Sequence, residues 1–131
     1  MAELARETRR VLLIEDHGDS REALQMLLEL YGHRVFTATN GVDGLALAAS
    51  ASPDVVLVDI GLPDVDGYEV ARRFRAAAFP HPRLVALSGY ASDDHRARAE
   101  QAGFDAYLVK PVDVDQLVTM VLIRAEPRGN S

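Results

Sequence analysis

Short unbroken apolar runs recur along the chain, and most end abruptly in polar residues. Residues 11–14 (Val-Leu-Leu-Ile) run into Glu15 and Asp16, and residues 55–58 (Val-Val-Leu-Val) into Asp59. Residues 84–87 (Leu-Val-Ala-Leu) run into Ser88 and Gly89, and residues 106–109 (Ala-Tyr-Leu-Val) into Lys110 and Pro111. Runs this short and continuous suit strands buried on both faces. Residues 34–39 form a further strand, rich in β-branched and aromatic types.

Between the strands the period changes to that of a helix. Asp19 and Glu22 have the spacing of a capping box, before a face of Leu24, Leu27, Leu28 and Tyr31 closed by Gly32. Asn40 is placed to cap a helix with Val42, Leu45, Ala46 and Ala49 inward. Asp66 and Glu69 open a third helix with Val70, Phe74 and Ala77 inward, broken by Pro80 and Pro82. Residues 92–102 carry only alanines as apolar side chains, so this helix can bury little area and is expected to be the least firmly held. Asp113 and Gln116 cap a last helix with Val114, Leu117, Val118, Val121 and Leu122 inward.

Five strand–helix units imply an α/β domain: a doubly wound parallel sheet with helices on both faces and right-handed crossovers. One domain is expected over residues 10–124, with a flexible N-terminal segment over 1–9 and a flexible tail over 125–131. A hydrophobic content of 48% is enough for a core, and no apolar run approaches the roughly 20 residues of a membrane span. With no signal-peptide pattern and no cysteine, the cytoplasm is the expected location, and thiol chemistry is excluded. A net charge of −6 argues against direct nucleic-acid binding. Arg72, Arg73 and Arg75 cluster, but Glu69 precedes Arg73 by one helical turn, so a solvated face accounts for them.

In a parallel sheet every strand's C-terminal end lies on one edge, where ligands bind at the reversal of strand order. Glu15, Asp16, Asp59, Ser88 and Lys110 therefore converge there. Each alone has a bland explanation as a turn residue or ion-pair partner; together they describe a pocket. Carboxylates about 4 Å apart repel by about 4 kcal/mol per pair at an effective dielectric near 20. Lys110 neutralises one charge, so the cluster must hold a cation or carry protons. An all-oxygen site with room for water and phosphate oxygens suits Mg²⁺. The four histidines lack zinc-site spacing, and His17 reads as a surface neighbour of the acidic pair. With a metal present, Asp59 becomes a plausible nucleophile toward phosphorus, with Lys110 as a point charge and Ser88 as a donor.

Ile14-Glu15-Asp16, Val58-Asp59-Ile60-Gly61-Leu62-Pro63, Asp66-Gly67, Leu87-Ser88-Gly89-Tyr90 and Leu108-Val109-Lys110-Pro111 resemble the receiver domain of bacterial two-component response regulators. The resemblance covers nearly the whole chain and implies a flavodoxin-like sheet of order 2-1-3-4-5. It implies that Asp59 is the phosphoacceptor and that Glu15, Asp16, Asp59 and the Gly61 backbone carbonyl hold Mg²⁺. It further implies that Lys110 contacts the phosphoryl group and is joined to Pro111 by a cis bond. Ser88 and Tyr107 match the switch pair, and Gly61 and Tyr90 match positions that tune water access. The implied donor is a histidine kinase or histidine phosphotransfer protein. The implied output surface is the face made by the helix at 92–102, the last strand and the last helix. Residues 59–75 look like receivers fused to hybrid sensor kinases.

Three other readings compete. A haloacid-dehalogenase-type phosphohydrolase would also use an aspartate nucleophile and Mg²⁺, but it wants a second acid where Gly61 stands. A phosphorylation-independent interaction module with a vestigial pocket would draw on Met120 and Ile123, which fall outside the inward face of the last helix. A nucleotide-binding domain is weaker still, because Glu15-Asp16-His17-Gly18 would repel pyrophosphate.

Overall fold

The computed structural model describes residues 7–77 and 81–123. Ten elements alternate: β1 (Arg10–Ile14), α1 (Gly18–Leu30), β2 (Arg34–Ala38), α2 (Gly41–Ala51), β3 (Val55–Asp59), α3 (Gly67–Ala76), β4 (Arg83–Ser88), α4 (Asp93–Ala102), β5 (Ala106–Val109) and α5 (Val114–Leu122). All strand pairs are parallel and the order is β2-β1-β3-β4-β5. The expected fold is therefore the observed one, with its reversal of strand order between β1 and β3.

The continuous apolar runs are explained by two cores, because successive strand residues point to opposite faces. Leu12, Ile14, Val56, Val58, Leu84 and Ala86 meet α2, α3 and α4 on one face, with Phe74 the largest fully buried side chain among the described residues. Val11, Leu13, Val55, Leu57, Val85 and Leu87 meet Leu28 of α1 and Leu117 and Val121 of α5 on the other. On α4 only Ala99 and Ala102 are buried, as its composition requires.

Several expected faces are rotated. On α2 the inner residues are Gly41, Gly44, Ala48 and Ala51, with Leu45 partly buried, whereas Val42, Ala46 and Ala49 face solvent. The cause is proximity: a Cβ on Gly44 would lie 2.4 Å from Ile14 Cδ1, so small residues mark the packed side. Tyr31 and Val114 are exposed as well, since each lies at a helix end beyond the sheet's cover. Met120 packs against the core beside Arg83, so it does not contribute to a free apolar surface; Ile123 is exposed.

The helix starts follow the capping signals at Asn40, Asp66 and Asp113, and Ser92 caps α4 in the same way; each side chain accepts from the amide three residues on. Asp19 differs. The N-cap of α1 is His17, which makes no side-chain cap bond, and Asp19 lies in the first turn, where its charge still favours the helix dipole. Pro80 lies outside the described residues, and α3 ends at Ala76 before it. Arg72 and Arg73 pair with Glu69 at 3.0 and 3.1 Å on the expected solvated face. Arg75 does not share that face. It donates to the carbonyls of Gly103 and Pro82 and pairs with Asp105 at 2.7 Å, tying α3 to the segments before β4 and β5.

Residues 1–6 and 124–131 lie outside the described residues, and with them most of the segments expected to be flexible. Arg9 is buried: its N–H donates to His33 Nδ1 at 3.1 Å and its guanidinium to the Leu122 carbonyl at 2.6 Å. Burial, and then the Arg9 charge, hold the His33 imidazole below its ordinary range, so Nδ1 stays an acceptor. Below about pH 6.5 the unfolded chain then binds a proton that the folded chain resists, and stability falls as pH drops toward the folded value. Melting temperatures from about pH 7.5 to about pH 5.5 should fall more steeply for the wild type than for His33→Phe, which cannot titrate.

Candidate functional site

Parallel register brings the candidate residues together. Ile14 pairs with Val58, so Glu15 and Asp59 come next to each other at the ends of β1 and β3. Asp59 pairs with Leu87 and Ser88 with Val109, so Ser88 and then Lys110 follow across the same edge. Lys110 stands two strands from Asp59, about 10 Å at ordinary strand spacing, and only a long side chain over a small neighbour can cross that gap. It does so. Nζ lies 2.9 Å from Glu15 Oε1 and 3.3 Å from Asp59 Oδ1, so one ammonium bridges two carboxylates.

Glu15 is fully buried and Asp59 is 6% exposed. Burial alone would raise the Glu15 carboxyl, but the Lys110 hydrogen bond and the His17 N–H outweigh it and hold the group below the usual carboxylate range. Burial likewise pushes the Lys110 ammonium down, and the bond to Glu15 and the charge of Asp59 more than reverse this. Asp16 completes the group. Its Oδ1 is buried without a hydrogen-bond partner among the described residues, while His17 Nδ1 lies 3.5 Å away, too poorly placed to satisfy it.

Ligand atoms from Glu15, Asp16, His17 and Asp59 all lie within 4.8 Å of one another. An orphaned carboxylate oxygen beside two more carboxylates, with a single ammonium among them, is a donor set that fits a hard divalent cation. His17 is drawn into this cluster, although its side chain is 73% exposed and its ring nitrogen is 3.4 Å from Glu15 Oε2. The Gly61 N–H donates to Asp59 Oδ1 at 3.2 Å, so the loop after β3 holds the aspartate from behind. Lys110–Pro111 is cis.

Ser88 and Tyr107 meet at a residue between them. The Tyr90 N–H donates to the buried Ser88 Oγ at 3.0 Å, and the Tyr107 hydroxyl donates to the Tyr90 carbonyl at 2.8 Å. Tyr90 also stacks on His95 of α4, with ring centroids 4.5 Å apart, and the Arg96 guanidinium lies 5.0 Å from the centre of the Tyr107 ring. The poorly buried α4 is thus attached through ring contacts as well as alanines. These were not legible beforehand, because stacking between Tyr90 and His95 depends on a loop conformation that residue types do not specify.

A doubly wound parallel sheet with a buried lysine–carboxylate cluster at its C-terminal edge defines a flavodoxin-like domain with a cation-competent cleft. Residues 11–122 match the model of the response regulator receiver domain, and the chain belongs to that family. It is 39% identical over 119 residues to the transcriptional regulatory protein AfsQ1 of Streptomyces coelicolor, covering 88% of this chain and 52% of that one. It is 35% identical over 112 residues to the cell cycle response regulator CtrA of Brucella ovis, covering 86% and 48%. The chain spans about half the length of these relatives.

Among solved structures it resembles the chemotaxis protein CheY4 of Vibrio cholerae, with TM-score 0.82 and 26% identity over 88% of this chain and all of that one. It also resembles the receiver domain of the sensor histidine kinase PA1611 of Pseudomonas aeruginosa, with TM-score 0.79 and 28% identity over 88% and 95%. That receiver carries a magnesium ion coordinated in its active-site cleft. These relatives include response regulators and a chemotaxis protein as well as a sensor-kinase receiver, and so do not single out the hybrid-kinase subtype.

Proposed function

We propose that this receiver domain accepts a phosphoryl group on Asp59 from the phosphohistidine of a histidine kinase or histidine phosphotransfer protein. One observation carries the reading: three carboxylates from two strand ends converge, and Lys110 bridges the buried Glu15 and Asp59. An Asp59 carboxylate oxygen attacks phosphorus, the P–N bond of the phosphohistidine breaks, and the imidazole nitrogen takes the electron pair. Glu15, Asp16, Asp59 and the Gly61 carbonyl would hold Mg²⁺, which when bound supplies positive charge to the phosphoryl oxygens. Lys110 is a second point charge, displaced from Asp59 toward the new phosphoryl group. The event is a single self-modification rather than turnover.

The output follows from Tyr90, which accepts from Tyr107 and donates to Ser88. A Ser88 hydroxyl drawn toward a phosphoryl oxygen gives up the Tyr90 N–H, and Tyr90 carries the change to Tyr107 and to α4. The face made by α4, β5 and α5 then presents a different surface to a downstream effector. Cytoplasmic location and the absence of direct nucleic-acid contact by this domain belong to the same proposal. Among the described residues no helix is long and apolar enough to cross a membrane.

Incubation with acetyl phosphate and Mg²⁺, followed by intact-mass measurement, tests the reading. The wild type should gain one phosphoryl group, while Asp59→Asn and an EDTA-treated sample should stay at the starting mass. A protein that gains nothing and binds no beryllofluoride is an interaction module with a vestigial pocket. One that continuously hydrolyses small phosphate esters is an enzyme.

A further inference from the structure

We propose that Asp64 is a positioning residue for the ion and phosphoryl site, because it pins the loop between β3 and α3 to the N-terminus of α2. The inference rests on the proposal that Mg²⁺ binds beside Asp59. Asp64 Oδ1 accepts from the Gly41 N–H at 2.8 Å and Oδ2 from the Val42 N–H at 3.0 Å. These are the first two amides of α2, more than 20 residues away in sequence. The helix already has its own N-cap, since Asn40 Oδ1 accepts from the Asp43 N–H at 2.8 Å. Asp64 therefore does what a local cap cannot: it joins two separate connections on the sheet's functional edge.

The neighbouring contacts show that this loop is seated rather than draped. A Cβ on Gly41 would lie 3.2 Å from Val65 Cβ and 2.9 Å from Val70 Cγ2, so α2 begins directly against the loop and α3. Leu62 is buried in the core. At the far end the Gly67 N–H donates to the Ile60 carbonyl at 3.0 Å. Between these anchors sits Gly61, whose side is open to solvent and whose N–H holds Asp59 Oδ1. Partial desolvation pushes the Asp64 carboxyl up, but the Gly41 and Val42 amides outweigh it and keep the group below the usual carboxylate range. It thus stays charged, and the tie is a charge-assisted one.

Releasing Asp64 lets residues 61–64 move away from α2. The Gly61 N–H then no longer fixes the Asp59 oxygen, and the Gly61 carbonyl no longer has one position. Groups that orient metal ligands typically change affinity by 10–100-fold when lost, and a loop tie lies at the lower end of that range.

Asp64→Ala and Asn40→Ala separate this role from simple capping, because both weaken the start of α2 but only the first cuts the tie. The readouts are Mg²⁺ affinity by calorimetry without any phosphodonor, and amide hydrogen exchange over residues 60–65. Asp64→Ala should bind Mg²⁺ about tenfold more weakly, with faster exchange at Gly61. Asp64→Asn, which keeps one acceptor, should fall between, and Asn40→Ala should stay within about twofold of the wild type. Equal losses in the Ala variants at both positions, or wild-type affinity in Asp64→Ala, would overturn the proposal. Should the wild type itself bind no Mg²⁺, the ion-site reading fails separately. The exchange rates then decide: faster exchange at Gly61 in Asp64→Ala supports the tie, and unchanged exchange refutes it.

Discussion

Lys110→Ala is expected to slow phosphoryl acceptance at Asp59 by about 10²- to 10³-fold while tightening Mg²⁺ binding, a split that a merely damaged site would not show. The two effects share a cause. Nζ stands 2.9 Å from Glu15 and 3.3 Å from Asp59, where it serves two oxygens that a metal ion would also use. Removing it takes a positive charge away from the transferring group and at the same time removes a competitor for the ion. Without metal the variant should also be less stable by about 3 kcal/mol, the low end for breaking a buried pair. The low end applies because the lysine side chain is 28% exposed, although Glu15 is fully buried.

Acid titration gives that loss a sign. In the wild type Glu15 is held below its ordinary value of about 4.5, so its contribution is present above that pH and is lost as pH falls through the folded value. With Lys110 gone, burial is the chief remaining influence and raises the group. The folded variant then binds the extra proton, and stability is lost as pH rises past about 4.5. Opposite slopes of melting temperature against pH in EDTA, with a larger Mg²⁺-induced rise in the variant, are the expected result. Parallel slopes would mean that Glu15 does not depend on Lys110.

The strands and the pocket were legible for one physical reason. A strand covered on both faces must be apolar at every position, so a carboxylate or ammonium that interrupts the pattern marks its end. In parallel topology all those ends share an edge, which is how Glu15, Asp59 and Lys110 could be brought together from residues far apart in sequence. The helices were harder because burial there depends on distance as well as on hydrophobicity. On α2 the packed side is glycine and alanine, since Ile14 leaves no room for a Cβ at Gly44, and the larger Val42 is turned outward. Arg75 misled for a related reason. Its charge resembles that of Arg72 and Arg73, but its guanidinium satisfies carbonyls of Gly103 and Pro82 that only the assembled fold brings near. Asp64 reads as one more turn residue until α2 is placed against it.

Gly67→Ala should cost about 1–3 kcal/mol and reduce phosphoryl acceptance by about 10²-fold, although residue 67 is no part of the pocket. A Cβ there would lie 2.7 Å from Ile60 Cα and 2.9 Å from the Asp59 carbonyl oxygen. Both are backbone atoms, which cannot rotate aside as a side chain could. Relief requires the start of α3 and the end of β3 to separate, and the 3.0 Å bond from the Gly67 N–H to the Ile60 carbonyl lengthens with them. Asp59 and Gly61 flank Ile60, so the displaced backbone is the one that aims the Asp59 carboxylate. Alanine's restriction of the unfolded chain recovers about 0.4–1 kcal/mol, too little to reverse the sign. Leu28→Ala, on the opposite face of the sheet, supplies the control: it opens a cavity under α1 and costs about 2–5 kcal/mol, but it removes atoms rather than crowding the backbone at Asp59 and Ile60. Measured where both variants remain folded, Leu28→Ala should accept a phosphoryl group at nearly the wild-type rate and Gly67→Ala should not. Equal rates in the two would show that the approach of α3 to the β3 backbone does not govern the geometry at Asp59.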